Sequence, residues 1–445
     1  MEPREDLLGL EKIAKEIELG KGFPDYLVLG LKYNPFPASA VASGAESYEI
    51  GEGEGPVFYL PVFPPIRQQH MVTIRDFVRS ALALQQFAGL QVIGDYGFGK
   101  SHLLRFVEQQ INEFKGNIRG GRIRAFYIKN PSTKPQGLLF SVTKSIGEQE
   151  LRNMTWSTIL STFHKVYTTD KKSFEDSLRS IHPSTLIQPN WEQLDALFEE
   201  DALANYKLFL DRAQSLGISR EDLRIISKQY LRGKIDNLEI TEHLLAIAFG
   251  SEMSSFQSWV ALTSAEGRRG LKAPQTDHFR AILRILQLSG ISFVFLLVDE
   301  FEDIAGIRLT PRQRAEYEAS LRMFIDSYHL DFAMVLAATA QAIEVIKETY
   351  NPFLDRFTHR IDLIPLTEDE TETVLLRYLN SALAESAKPF EMNQHPFKLV
   401  VGQIVKHARG NARATLNICH KLIEYCREQK KVELSAQDLQ AVLLR

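Results

Sequence analysis

The stretch VIGDYGFGKSHLL, residues 92–104, decides how the rest of the chain is read. Gly94, Asp95, Tyr96, Gly97, Phe98, Gly99, Lys100 and Ser101 satisfy G-x-x-x-x-G-K-[ST]. A short apolar run, LQVI (90–93), precedes them, and the amphipathic pattern SHLLRFVEQQINEF (101–114) follows, so the motif sits between a buried strand and a helix. Glycines let backbone N–H groups turn inward around a polyanion without Cβ clashes. The helix N-terminus adds its partial positive charge. Lys100 is expected to reach the outer phosphates and the Ser101 hydroxyl to ligate magnesium, with His102 completing the nucleotide-binding stretch. The expected ligands are therefore ATP and Mg2+.

Such a loop needs a second strand that carries a carboxylate to the metal. ISFVFLLVDE (291–300) supplies one, ending in Asp299 and Glu300. The strand pleat sends adjacent side chains different ways, so Asp299 is expected to hold the Mg2+ shell while Glu300 polarises the attacking water. The glutamate beside the aspartate argues for hydrolysis rather than nucleotide storage.

Working outward, short apolar strands recur between helical patterns: GRIRAFYIKN (121–130), FAMVLAATA (332–340) and HRIDLIPL (359–366). Helices separated by short, wholly apolar strands mean an α/β fold with a parallel sheet between helices. About 130 residues interrupt this alternation with almost purely helical patterns. The chain is thus divided into an N-terminal helix and irregular lead-in (1–65), a first part of the nucleotide-binding core (66–146), an all-α insertion (147–275), a second part of the core (276–366) and a C-terminal α-helical lid (367–445).

Composition narrows the class further. With 445 residues there is room for two or three domains with real cores. A formal net charge of -4 excludes a generally basic, histone-like binder but leaves room for a local basic groove. The two cysteines, Cys419 and Cys426, lie in one helical pattern about 10 Å apart along the axis, too far for a disulfide. The charged N-terminus, MEPREDLLGL, lacks a signal-peptide core. FVFLLV, the longest apolar run, is far short of the ~18 residues of a membrane span. A reduced, cytoplasmic protein without a membrane segment is expected.

Further motifs carry a family resemblance. In AMVLAATAQ (333–341), Thr339 or Gln341 sits where AAA+ ATPases keep a polar sensor of the γ-phosphate. PFLDRFTHRIDLIPL (352–366) resembles the segment before the fifth AAA+ strand, with Arg356 at the arginine-finger position. HARGNARATLNICHKL (407–422) resembles the second sensor helix of the origin-recognition (ORC/Cdc6-like) clade, with Arg413 as sensor. Asn130 lies where AAA+ proteins place a polar switch residue. Within AAA+, GDYGFGKSHLLR, the insertion with SWVALTSAEGRRGL, and VDEFEDI…SLRMFID…LAATAQ are together similar to the ATP-binding proteins of bacterial BREX-type phage-exclusion islands. The resemblance implies a homo-oligomeric ATPase in which a neighbouring subunit supplies an arginine. Two features depart from it. The interval from Lys100 to Glu300 is unusually long, and little chain follows the lid, so no C-terminal winged helix and no sequence-specific origin binding are expected.

Residues 100–134 hold eight basic residues and two acidic ones, and NIRGGRIR (117–124) places Arg119, Arg122 and Arg124 around a Gly-Gly loop. Read alone, this is a solvated charged loop. With the resemblance it becomes a surface that follows the phosphate backbone of double-stranded DNA without reading bases. Three activities compete: a nucleotide-gated switch engaging DNA, an ATPase regulating a partner effector or helicase through the insertion, and a nucleotide-locked scaffold. The simultaneous presence of Lys100, Ser101, Asp299 and Glu300 disfavours the last.

Overall fold

Five apolar runs pair into one sheet in the computed structural model, which describes residues 26–37, 62–83, 87–129, 137–181, 190–235, 238–250, 275–302, 309–385, 387–392 and 394–444. The expectations for the N-terminal helix before residue 26, for Asn130 and Lys134, and for SWVALTSAEGRRGL lie outside the described residues. Strands β1 (Gly89–Ile93), β2 (Arg122–Ile128), β3 (Ile291–Val298), β4 (Phe332–Ala338) and β5 (His359–Asp362) run in the order β2-β3-β4-β1-β5. The β1–β4, β3–β4 and β2–β3 pairs are parallel, as the unbroken apolar runs require.

The helices are α1 (Gln68–Ala83), α2 (Lys100–Glu113), α3 (Gly137–Ile146), α4 (Glu148–Thr169), α5 (Lys171–Ile181), α6 (Glu200–Ala204), α7 (Tyr206–Ser215), α8 (Arg220–Leu231), α9 (Leu238–Phe249), α10 (Gln275–Leu288), α11 (Pro311–Tyr328), α12 (Ala340–Leu354), α13 (Glu368–Ser381), α14 (Val401–Ala408), α15 (Ala412–Gln429) and α16 (Ala436–Leu443). The architecture is the expected one: an α/β core with a parallel sheet between helices, an all-α insertion and a C-terminal helical lid. Among the described residues no helix is long and apolar enough to cross a membrane.

Contacts sort the chain into two units. One draws on Val72–Ile93 and Val107–Ile361, the other on Met1–Met71, Gly94–Phe106 and Asp362–Arg445. In the first unit the period-2 alternation of β3 serves two faces. Val294, Leu296 and Val298 join the cluster formed with Ile282 and Leu286 of α10 and Leu321 and Ile325 of α11. On the other face Phe295 meets Phe77 of α1, ring centroids 5.9 Å apart. The insertion has its own core, in which Trp156 is 1% exposed, donates to Ala248 O at 2.9 Å and stacks on Tyr206. Trp156 is thus a core anchor of the insertion.

The second unit is built on α13 to α16, of which α13, α15 and α16 start on side-chain caps at Thr367, Asn411 and Ser435. Its core includes Cys419 and Cys426, both buried and unbridged. Part of the expected lead-in belongs here. Tyr26 and Asn34 hydrogen-bond Glu424, and Phe36 packs on Tyr378 and Phe397. Arg67 forms a bidentate pair with Glu370, 2.7 Å at each contact, and donates to Pro365 O.

One buried group in the first unit works against stability. Glu318 on α11 is 1% exposed, and among the described residues neither carboxylate oxygen has a hydrogen-bond partner. Burial pushes its pKa up to about 7, and Arg314 one turn away offsets only part of that. Because the folded value lies above the unfolded one, stability falls as pH rises from the ordinary carboxyl range through about 7, and stays lower beyond it. Glu318→Gln is expected to raise stability at pH 8, by on the order of 2 kcal/mol, and to leave pH 4.5 nearly unchanged. Denaturant melts at the two pH values check this; equal effects at both would contradict it.

Candidate functional site

The loop of the opening motif has the backbone its sequence called for. Gly94 follows Ile93, the last residue of β1, and α2 begins at Lys100, with Leu103 N donating to Gly99 O at 2.9 Å. Gly97 (φ 83°) and Gly99 (φ 95°) both lie in the left-handed region that side chains resist. A Cβ on Gly99 would meet nothing within 4 Å, so open space lies before the first turn of α2. Lys100 is 7% exposed and donates to Gly94 O at 2.8 Å, its ammonium 5.2 Å from the Tyr96 ring centroid. A buried ammonium at a helix start suits a phosphate chain. The residues present therefore fit a nucleoside triphosphate. Phe98 N closes a turn onto Asp95 O at 3.3 Å, and Ser101 occupies the first turn of α2, half-buried.

His102, expected among the nucleotide-binding residues, is engaged elsewhere. Its Nε2 lies 3.0 Å from Phe63 O and 3.1 Å from Phe63 N. Burial holds its pKa below the ordinary histidine value, so the ring is neutral and either tautomer finds a partner.

The same unit brings the GNAR segment onto the loop. Arg413 N donates to Gly97 O at 3.0 Å, while the Arg413 side chain is exposed. Asn411 Nδ2 donates to Tyr96 O at 2.7 Å. The reading of sequence singled out Arg413 and missed Asn411. The available signal was a Gly-Asn pair opening a helix, which marks a cap but not what the other end of the amide holds.

In the other unit the strand-end carboxylates form a corner. Asp299 N donates to Ile128 O of β2 at 2.9 Å, and Phe301 N donates to Ala337 O of β4 at 3.1 Å. Glu300 between them has φ 54°, uncommon for a residue with a side chain. Asp299 is 1% exposed; its Oδ2 accepts from Tyr127 OH at 2.6 Å and its Oδ1 from Glu300 N at 2.9 Å. Tyr127 is a second residue missed from sequence. Among the described residues no cluster of three or more His, Cys, Asp or Glu is placed to hold a metal. An oriented carboxylate of this kind suits Mg2+, which keeps several waters.

Strand β4 lies between β1 and β3, with Ile93 opposite Ala338 and Val298 opposite Leu336. The residue following β4, Thr339, is therefore at the carboxyl edge of a parallel sheet, where ligands of such sheets bind. Its Oγ1 accepts from Ala342 N at 3.3 Å, which leaves the hydroxyl proton to donate. Gln341 is exposed on α12.

Arg356 pairs with Asp326 of α11 at 3.0 Å, both side chains about two-fifths exposed. Arg119 differs from expectation. The GG loop is a tight turn closed by Ile118 N to Gly121 O, with Arg119 (φ 55°) and Gly120 (φ 80°) at its centre. Arg119 donates to the carbonyls of Leu82, Ala81 and Leu330 and lies over the Phe293 ring, so it caps the end of α1. Arg124 pairs with Glu150 at 3.0 Å. Arg122 is exposed.

The sequence matches no protein-family model and no curated protein. Among solved structures it is similar to the Aeropyrum pernix ORC2 protein in ADPNP and ADP complexes, with 13% identity, 86% of this chain and 69% of that chain covered, and a TM-score of 0.48. The Aeropyrum pernix ORC1 protein in complex with DNA shows 8% identity, 86% and 66% coverage and a TM-score of 0.45. Cdc6p from Pyrobaculum aerophilum shows 12% identity, 87% and 69% coverage and a TM-score of 0.44. Likeness at this level assigns neither residues nor activity.

The Tyr127–Asp299 bond generates a direct expectation. Tyr127→Phe keeps the packing and removes the donor, so an Mg2+ ion held by Asp299, in the function proposed below, would bind about 10-fold more weakly. A magnesium titration of the variant checks this; an unchanged midpoint would show that Tyr127 only packs.

Proposed function

We propose that this chain is a Mg2+-dependent ATP hydrolase that works as an oligomeric, nucleotide-gated switch and engages duplex DNA without reading its sequence. The observation that carries the hydrolase reading is the corner at Asp299 and Glu300: a buried, doubly hydrogen-bonded carboxylate followed by a glutamate in a left-handed conformation. Local strain of this kind persists only where the surroundings fix it, and it clusters at working sites.

In this reading Lys100 and the loop N–H groups bind the phosphates. Ser101 and Asp299 hold Mg2+, which neutralises charge on the phosphoryl oxygens. Glu300 orients water and accepts its proton, while Thr339 offers a hydroxyl hydrogen bond to the terminal phosphate. Arg413 and, from a neighbouring subunit, Arg356 add positive charge as the transition state develops. The ion pair that holds Arg356 is a half-exposed one, worth roughly 0–1 kcal/mol, so it releases cheaply.

DNA engagement is supported by the basic excess of residues 100–134, and among its members Lys115, Arg122 and Lys129 are exposed. A setting in phage defence or a mobile element rests on the pattern resemblance alone. The second reading, regulation of a partner effector or helicase, is favoured by one observation: Arg119 and Arg124 serve their own chain, while the insertion has an independent core.

The test is steady-state ATP turnover with and without duplex DNA, using Glu300→Gln as the blank. Turnover is expected to fall at least 100-fold in the blank and to rise with DNA in a salt-sensitive manner. Turnover indifferent to DNA but abolished in the blank would favour the partner reading. Turnover unaffected by Glu300→Gln would defeat the hydrolase reading. Arg356→Ala is expected to lower turnover about 1,000-fold with ATP affinity within about twofold of wild type. Asp326→Asn, which removes only the internal ion pair, serves as the control; equal losses in both variants would make Arg356 structural.

A further inference from the structure

We infer that Asn411 is a positioning residue that sets the phosphate loop, so that the folded start of α15 is part of what makes the loop able to bind a polyphosphate. The inference rests on the nucleotide-binding reading of the loop. Asn411 has two tasks with two different atoms. Its Oδ1 accepts from Ala414 N at 3.0 Å, capping α15, and its Nδ2 donates to Tyr96 O at 2.7 Å. Only one orientation of the amide serves both, since Ala414 N is a donor and Tyr96 O an acceptor.

A second bond lies beside the first. Arg413 N, one of the N–H groups that a helix start leaves without an intrahelical partner, donates to Gly97 O at 3.0 Å. The fit is close: a Cβ on Gly97 would come within 2.9 Å of Arg413 Cβ and would collide with Asn411 Oδ1. Gly97 is thus required twice, for its φ of 83° and for this approach. The turn that presents Asn411 is itself fixed. Leu366 N donates to Gly410 O at 2.8 Å, and a Cβ on Gly410 would fall 2.7 Å from Leu366 O.

The consequence for the loop follows from peptide geometry. In a planar trans peptide the carbonyl and the next residue's N–H point in opposite directions. Holding the carbonyls of Tyr96 and Gly97 against α15 therefore aims the N–H groups of Gly97 and Phe98 away from it. The Gly97 N–H is a donor of the kind a phosphate cradle needs, while the loop's own turn, Phe98 N to Asp95 O at 3.3 Å, is a long bond that engages only Phe98. Asn411 supplies the missing restraint from outside the loop.

The two tasks separate by mutation. Asn411→Asp and Asn411→Ser keep an oxygen for the helix cap and remove the amide donor; Asn411→Ala removes both. Two readouts are made on each full-length variant: affinity for ATP by titration, and hydrogen exchange at the amides of residues 96–99 in nucleotide-free protein. Asn411→Asp and Asn411→Ser are both expected to weaken ATP about 10-fold and to speed loop exchange, with melting temperatures within about 2 °C of wild type. Agreement between the charged and neutral replacements excludes a charge effect. Wild-type affinity and wild-type exchange in both would overturn the inference. Weaker binding that tracks a fall in melting temperature would overturn it too, by reducing Asn411 to a helix cap. A wild-type chain that binds no ATP would defeat the proposed function instead, and the exchange readout would still decide the role of Asn411.

Discussion

The first unit depends on how one chain segment passes from one neighbouring strand to another. β3 makes its last ladder bond to β2 through Asp299 N, and two residues later Phe301 N bonds β4. The single residue between, Glu300, absorbs the change of direction by entering the left-handed region. For a residue with a Cβ this costs roughly 1–2 kcal/mol, and it persists because the bonds on both sides leave no alternative. The aspartate at the same corner is removed from water, which is tolerable only because both of its oxygens accept hydrogen bonds. Strand order, backbone strain and carboxylate orientation are one arrangement here, and the pairing of β3 with both neighbours produces it.

The phosphate loop obeys a different constraint. Its glycines permit the required backbone but do not select it, since a residue without Cβ has many conformations to lose. Selection comes from packing in the second unit, where Tyr96 O and Gly97 O are held by α15. The core beneath α13 to α16 incorporates residues 26–37, so a segment remote in sequence helps to order the helix whose start holds the loop. Loop geometry in this protein is therefore a property of a folded unit, and the eight-residue motif is only the part of it that has a short signature.

The sheet was largely legible because parallel strands buried on both faces must be apolar throughout, and LQVI, ISFVFLLV and FAMVLAA are. The turn between β1 and α2 was legible because its left-handed backbone at Gly97 and Gly99 favours glycine. Tyr127 was not, although it stands inside a recognised strand. Its bond to Asp299 depends on β2 lying beside β3, and a sequence does not show which strands are neighbours. Asn34 and Phe36 lie in a stretch that looked irregular because Pro and Gly suppress periodicity, and their order is imposed by α13 and α15 rather than by any pattern of their own. NIRGGRIR misled for a related reason. A Gly-Gly pair among arginines looks like a flexible, charged loop, but once Arg119 accepts a positive φ the turn closes and its side chain falls among unsatisfied helix-end carbonyls.

Arg119 and Arg356 show how the same residue type divides between structure and chemistry. Arg119 donates to three carbonyls and lies over an aromatic face, so withdrawing it would leave the carbonyls at the end of α1 without this donor. Such an arginine is fixed in place and is a poor candidate for capturing a mobile polyanion. Arg356 has one half-exposed carboxylate partner, and its Nε is buried without one. A guanidinium so incompletely satisfied, in an ion pair screened by solvent, loses little on exchanging Asp326 for a phosphate, which accepts from a planar fork in the same way. In the proposed reading, that lightly held charge is the one offered to a neighbouring subunit.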